Sequence, residues 1–140
     1  MREGWKTQPL GALLDTVIDH RGKTPKKLGG DFTTAGIPVV SAIHIKGGQI
    51  VWAERERYVD ADMAARWMKI PTKKNDVLLT SEAPLGEVAL VPDNNPLVLS
   101  QRLFGLRGKS GVLDSRYLRW FLASTKGRSL LEGRATGTTV

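Results

Sequence analysis

Asn75-Asp76-Val77-Leu78-Leu79-Thr80-Ser81-Glu82-Ala83-Pro84-Leu85-Gly86-Glu87-Val88-Ala89-Leu90-Val91 is the stretch whose reading decides the fold. Residues 77–80 and 87–91 are two short aliphatic runs separated by a segment containing Pro84 and Gly86. Both runs are too short for stable helices, and the spacing predicts two strands joined by a loop. Pro92-Asp93-Asn94-Asn95-Pro96 closes the second run with a strong turn signal, and residues 97 to about 107 read as a further strand. On the other side, the β-branched residues 37–45 lead into Lys46-Gly47-Gly48-Gln49 and then Ile50-Val51-Trp52. That is the pattern of a hairpin with a Gly-Gly turn.

Helical signals flank these strands. Leu10, Leu13, Leu14 and Val17 recur at helical spacing and predict a short helix reaching about Ile18. A polar stretch rich in Gly and Lys, residues 20–36, follows as a long loop. Asp60 or Asp62 is placed to cap a short helix through Met68, with Met63 and Trp67 on one face, before Pro71 prevents continuation. Asp114 or Ser115 opens the clearest helix, where Tyr117, Leu118, Phe121 and Leu122 form an apolar stripe. Residues 133–140 read as a loop entering a strand. With no regular β-α-β alternation, the expected class is α+β: a twisted mixed or mostly antiparallel sheet with short helices near both ends.

The chain has 140 residues, 41% of them hydrophobic, enough for one core without disulfides or metal. It contains no cysteine, its apolar runs fall well short of the roughly 20 residues of a membrane-spanning helix, and its start lacks a hydrophobic signal region. The expectation is a soluble, cytoplasmic, single-domain protein. The net charge is +7, and from Asn94 onward eight basic residues face only Asp114 and Glu132. A second basic cluster is Arg21, Lys23, Lys26 and Lys27. Such a surface suits a polyanion, since each neutralised phosphate releases condensed counterions.

Catalytic signatures fail one by one. Gly22-Lys23-Thr24 resembles the end of a phosphate-binding loop, but the required earlier glycine is Val17. Two histidines and no cysteine make no closed zinc site. Asp19-His20 has no nucleophile motif beside it and reads as a polar loop entry. Asn95-Pro96 is followed by Leu97 and Val98, where an amino-methyltransferase has Pro and an aromatic ring; it is a turn. The expectation is therefore a binding protein with no catalytic residue, cofactor or metal.

The order of segments carries a resemblance. Trp5 with Pro9-Leu10-Gly11, then residues 19–25, then Gly36-Ile37-Pro38-Val39-Val40-Ser41 with Ile45 and Gly48, then residues 75–89, Ser100-Gln101, Tyr117-Leu118 and Gly137-Thr138 look like the successive motifs of a target-recognition domain. The family is the specificity subunit of type I restriction-modification systems. Asn75 stands where the family commonly has glycine. The resemblance implies sequence-specific binding of double-stranded DNA, with one half of a split site read for a methyltransferase subunit and, through it, a restriction and translocase subunit. It also implies that residues 1–140 are one such domain, the first of two, ending before the spacer helix.

Base edges are read by Arg or Lys at guanine, Asn or Gln at adenine, and Glu or Asp at cytosine. Arg21, Lys23, Lys26 and Lys27 are the expected phosphate contacts, and Ser41, His44, Lys46, Ser81, Glu82, Gln101 and Arg102, at strand ends or loops, the expected base readers. Structural roles compete at each position. The tryptophans at 5, 52, 67 and 120 are expected in the core or at subunit contacts, and Arg116 and Arg119 facing solvent. The rival functions are a module that docks a DNA methyltransferase with DNA contact incidental, then a single-strand binder, disfavoured because only 6% of residues are aromatic, and last a hydrolase.

Overall fold

The computed structural model describes residues 10–19, 23–52, 56–81, 86–100 and 102–136. Its backbone is a four-stranded antiparallel sheet sandwiched between two unlike layers. The strands are β1 (Leu14–Ile18), β6 (Val77–Thr80), β7 (Val88–Leu90) and β9 (Leu103–Gly108), in the order β1-β9-β6-β7. Strands alternate their side chains between faces, so Val77, Leu79, Val88 and Leu106 meet Leu118 and Leu122 of helix α3 (Ser115–Ala123) on one side. Leu78, Ala89, Leu103 and Ile18 face the other side. There they meet Val39 and Val40 of β2 (Ile37–Val40), Val59 of β5 (Tyr58–Val59), Val98 and Leu99 of β8 (Val98–Leu99), and Met63 and Trp67 of α2 (Ala61–Trp67). A second sheet, β5-β2-β8, pairs β2 antiparallel with β5 and parallel with β8. The expected α+β class with a largely antiparallel arrangement is the one observed.

The decisive stretch folds as its pattern requires: β6 and β7 pair antiparallel, with Val77 opposite Leu90 and Leu79 opposite Val88. The hairpin of β3 (Ile45–Lys46) and β4 (Gln49–Ile50) turns through Gly47 at φ 58 and Gly48 at φ 80. Both angles are in the left-handed region that a two-residue primed turn needs and that glycine adopts without strain. Asp60 proves to be the cap of α2, accepting from the Met63 N–H at 2.8 Å, and Asp114 caps α3 by accepting from the Arg116 N–H at 2.8 Å.

Three elements depart from the sequence reading. The expected helix to Ile18 is only α1 (Leu10–Leu13), and residues 14–18 form β1. The β-branched Thr16-Val17-Ile18 favours extended backbone, and the edge of β9 supplies partners from Gly105 to Gly108. An irregularity between Leu14 and Thr16 shifts the phase, so that Leu14 faces the α3 side and Ile18 the other. The single strand expected over 97–107 is two, β8 and β9, separated where Arg102 takes φ 70. Residues 133–136, expected to begin a loop entering a strand, instead end helix α4 (Thr125–Thr136), which packs on α3; residues 137–140 of that expectation lie outside the described residues. Among the described residues no helix is long and apolar enough to cross a membrane.

Candidate nucleic-acid interface

Three segments meet at one end of the two sheets. The Ser100 N–H donates to Val40 O at 2.9 Å, and the Ser81 N–H donates to Arg102 O at 2.9 Å. These two bonds bring together the exit of β2 at Ser41, the exit of β6 at Ser81 and the link between β8 and β9. β1 leaves the sheet at the same end, since Ile18 lies opposite Gly105 near the start of β9. Arg102 is exposed, and its positive φ is a conformation that a non-glycine residue keeps only when its surroundings fix it. The hydrogen bond to its carbonyl is one such constraint.

Of the expected base readers, Ser41, Ser81 and Arg102 are gathered here. Glu82 and Gln101 lie outside the described residues, as does Arg21 of the expected phosphate contacts. His44 lies beside Ser41 but points inward: it is 1% exposed, its Nδ1 accepts from the Ser41 N–H at 3.1 Å, and its ring lies 5.1 Å from that of Trp52. That side chain is a core piece beneath the hairpin, and no base edge can reach it in this arrangement. Lys46 is exposed near the hairpin tip, opposite Gln49. Gln49 was not among the residues expected from sequence, although a Gly-Gly hairpin necessarily sets it across from Lys46.

The cluster of Arg21, Lys23, Lys26 and Lys27 divides. Lys23 Nζ donates to Trp67 O at 3.0 Å, half-buried against α2. The remaining two, Lys26 and Lys27, are exposed on a tight turn, in which the Leu28 N–H donates to Thr24 O at 3.1 Å. This turn is fixed to the interface end through α2: Arg66 Nη1 donates to Leu28 O at 2.8 Å, and Trp67 Nε1 donates to Leu99 O at 3.1 Å. The Lys26–Lys27 turn and the Ser41–Ser81–Arg102 region thus belong to one hydrogen-bonded framework.

The C-terminal basic surplus is partly neutralised. Arg107 makes a two-pronged bond to Asp76 at 2.7 and 2.8 Å, with the carboxylate only 2% exposed. Its hydrogen bonds to Asp76 hold the Arg107 guanidinium above its ordinary pKa. Asp76 also accepts from the Lys73 N–H at 2.8 Å. Arg116 pairs with Asp114 at 3.0 Å, and Arg128 faces Glu87 at 3.6 Å. Hydrogen bonds from Arg116 hold the Asp114 carboxyl below its ordinary pKa. Arg119 does not face solvent as expected: its Nη2 donates to Gly48 O at 3.3 Å and its Nε is buried without a partner.

Among the tryptophans, Trp67 is core at 1% exposed, whereas Trp120 is 62% exposed beside Tyr117, with ring centroids 6.0 Å apart. Trp5 lies outside the described residues. Among the described residues no group of three or more His, Cys, Asp or Glu side chains is placed to hold a metal ion.

No family model and no curated protein sequence matches the chain. Solved structures share its fold, among them the following two. The crystal structure of the HsdS subunit from Thermoanaerobacter tengcongensis superposes with a TM-score of 0.59 at 19% identity, over 98% of this chain and 32% of that one. A chain from a study of complex assembly and conformational transition in the type I R-M system superposes with a TM-score of 0.53 at 19% identity, over 87% of this chain and 29% of that one. The chain spans about a third of the length of each. Its architecture is therefore the fold of one portion of an HsdS subunit, the fold that the order of its sequence motifs led one to expect.

Proposed function

We propose that this chain is a non-catalytic target-recognition domain that binds double-stranded DNA and reads one half of a split site for a type I restriction-modification assembly. The observation that carries this reading is the convergence of three chain segments at one sheet end, fixed by the Ser100–Val40 and Ser81–Arg102 backbone bonds. The fold shared with HsdS supports it, as does the net charge of +7. In this reading Lys26 and Lys27 contact phosphates and set the register, while Ser41, Ser81 and Arg102 read base edges; Arg21, Glu82 and Gln101 keep the roles expected from sequence, phosphate contact for the first and base reading for the other two. Methylation and cleavage belong to partner subunits in the cytoplasm.

A mobility-shift titration against random duplex at several salt concentrations is the direct test. The expected result is binding at low salt that weakens steeply as salt rises, followed by enrichment of a short motif from a random duplex pool. A chain that leaves random duplex unshifted at low salt is not a DNA reader. That outcome would favour the second reading, a module that docks a methyltransferase, which draws its own support from the exposed Tyr117–Trp120 pair on α3.

A further inference from the structure

We infer that the β3–β4 hairpin is a groove-entering probe of this chain, with Lys46 and Gln49 as paired base-reading side chains and Arg119 as the residue that positions them. The inference rests on the DNA-reading function proposed above and adds to it an element, a specificity residue and a strut.

The root of the hairpin is in the core and its tip is outside. Ile45 is 2% exposed, Ile50 packs against the same cluster, and the Val51 N–H donates to His44 O at 2.7 Å, carrying the ladder down onto the His44–Trp52 ring pair. Beyond that root, Lys46 and Gln49 are directly opposite one another and exposed. Opposed residues of an antiparallel pair share a face, so the two side chains stand side by side on the face away from buried Ile45. Between them the turn is two glycines, and a Cβ on Gly47 would meet nothing. The tip is therefore bare on its Gly47 side, while Gly48 rests against the Arg119 guanidinium. The major groove admits a two-stranded ribbon.

The residue types are ones that base edges accept. A lysine alone suits either a base edge or a phosphate. Gln49 has no charge to offer a phosphate, but its amide presents a donor and an acceptor in the arrangement that adenine N7 and N6 complement, while lysine donates to guanine O6 or N7. Side by side on one face, the pair fits a guanine and an adenine in neighbouring base pairs.

Such a probe discriminates only if it is held still, because a side chain on a mobile tip loses the geometry that separates right from wrong bases. Arg119 supplies that hold. It reaches from the middle of α3 to Gly48 O, and a Cβ on Gly48 would run into its guanidinium.

The test is motif selection from a random-core duplex pool with the whole chain, its fold checked by circular dichroism, comparing the parent with Gln49→Ala, Lys46→Met and Arg119→Met. The parent is expected to select a motif in which Gln49→Ala lowers the preference at one A·T pair by about ten-fold and Lys46→Met lowers it at a neighbouring G·C pair by a similar factor, with other positions unchanged. Arg119→Met is expected to blur both positions together, and Arg119→Lys, which keeps a donor toward Gly48 O, to restore part of the preference. If Gln49→Ala and Lys46→Met select the parental motif, the hairpin does not read bases, and the DNA-reading function stands without it. If Arg119→Met lowers the salt slope by about one unit with the motif intact, Arg119 is a phosphate contact and not a strut. A parent that binds no duplex overturns the DNA-reading function and the hairpin probe with it.

Discussion

Asn75 takes φ 72, a left-handed conformation that glycine adopts freely, Asn tolerates and most side chains resist. This explains why Asn can stand where the resembled family commonly has glycine. Asn75→Gly is expected to leave stability within about 0.5 kcal/mol, and Asn75→Val to cost about 1–2 kcal/mol, as read from urea denaturation midpoints. The neighbouring residue has a larger stake. Asp76→Ala strands the half-buried Arg107 guanidinium and removes the acceptor for the Lys73 N–H, so a loss of about 3 kcal/mol is expected by the same measurement. Asp114 gives a pH signature. Its folded carboxyl is held below its ordinary pKa by Arg116, so its contribution is complete above the unfolded value and lost as pH falls through the folded one. Asp114→Asn keeps a cap acceptor without the charge, and its melting temperature should fall less steeply than the parent's on acidification below about pH 4. The turn at Asn75 could be read from residue type alone. That Asp76 is answered by Arg107 could not, because the two meet only through the pairing of β6 with β9, and along the sequence Arg107 counts toward the basic surplus.

At the level of elements, the legible features were those encoded locally. The β6–β7 pair, the Gly-Gly hairpin and the caps Asp60 and Asp114 each announce themselves within a few residues, and all are present. The failures share one cause: a distant strand decided the outcome. Leucines at 10, 13 and 14 suit a helix, but pairing with β9 pulls residues 14–18 into a strand and leaves Val17 50% exposed while Ile18 is 1% exposed. This difference is measurable. Val17→Thr is expected to change stability by less than about 0.5 kcal/mol, whereas Ile18→Ala should cost about 2–5 kcal/mol. A helix over the same residues would have put Val17 in the apolar stripe and made it the sensitive one. The break between β8 and β9 was equally hidden, because residues 97–107 contain neither Pro nor a run of turn residues after Pro96; it follows from β8 pairing with β2 and β9 with β6.

For the whole molecule, the ordered motifs led to the right class and architecture, while charge counted along the sequence overstated the basic surface. Arg107 and Arg128 face carboxylates from before Asn94, Arg116 faces the Asp114 already set against it, and Arg119 reaches Gly48 O. The electrostatic footprint proposed for duplex binding shifts accordingly toward the Lys26–Lys27 turn. Lys26→Ala and Lys27→Ala are each expected to reduce the slope of log affinity against log salt by about one unit. Lys23→Ala should reduce it less and lower thermal stability instead, since its ammonium is engaged by Trp67 O; titrations at four or more salt concentrations separate the cases. The pairing of β1 with β9 has a consequence of another kind. Leu14 lies opposite Gly108 and Ile18 opposite Gly105, so the strand made first waits for a partner about ninety residues later. At roughly 5–20 residues per second a ribosome needs on the order of 5–20 seconds to deliver it. Throughout that interval the nascent chain carries an unmatched strand, a window in which chaperone capture or elongation rate sets how much of it reaches the native state.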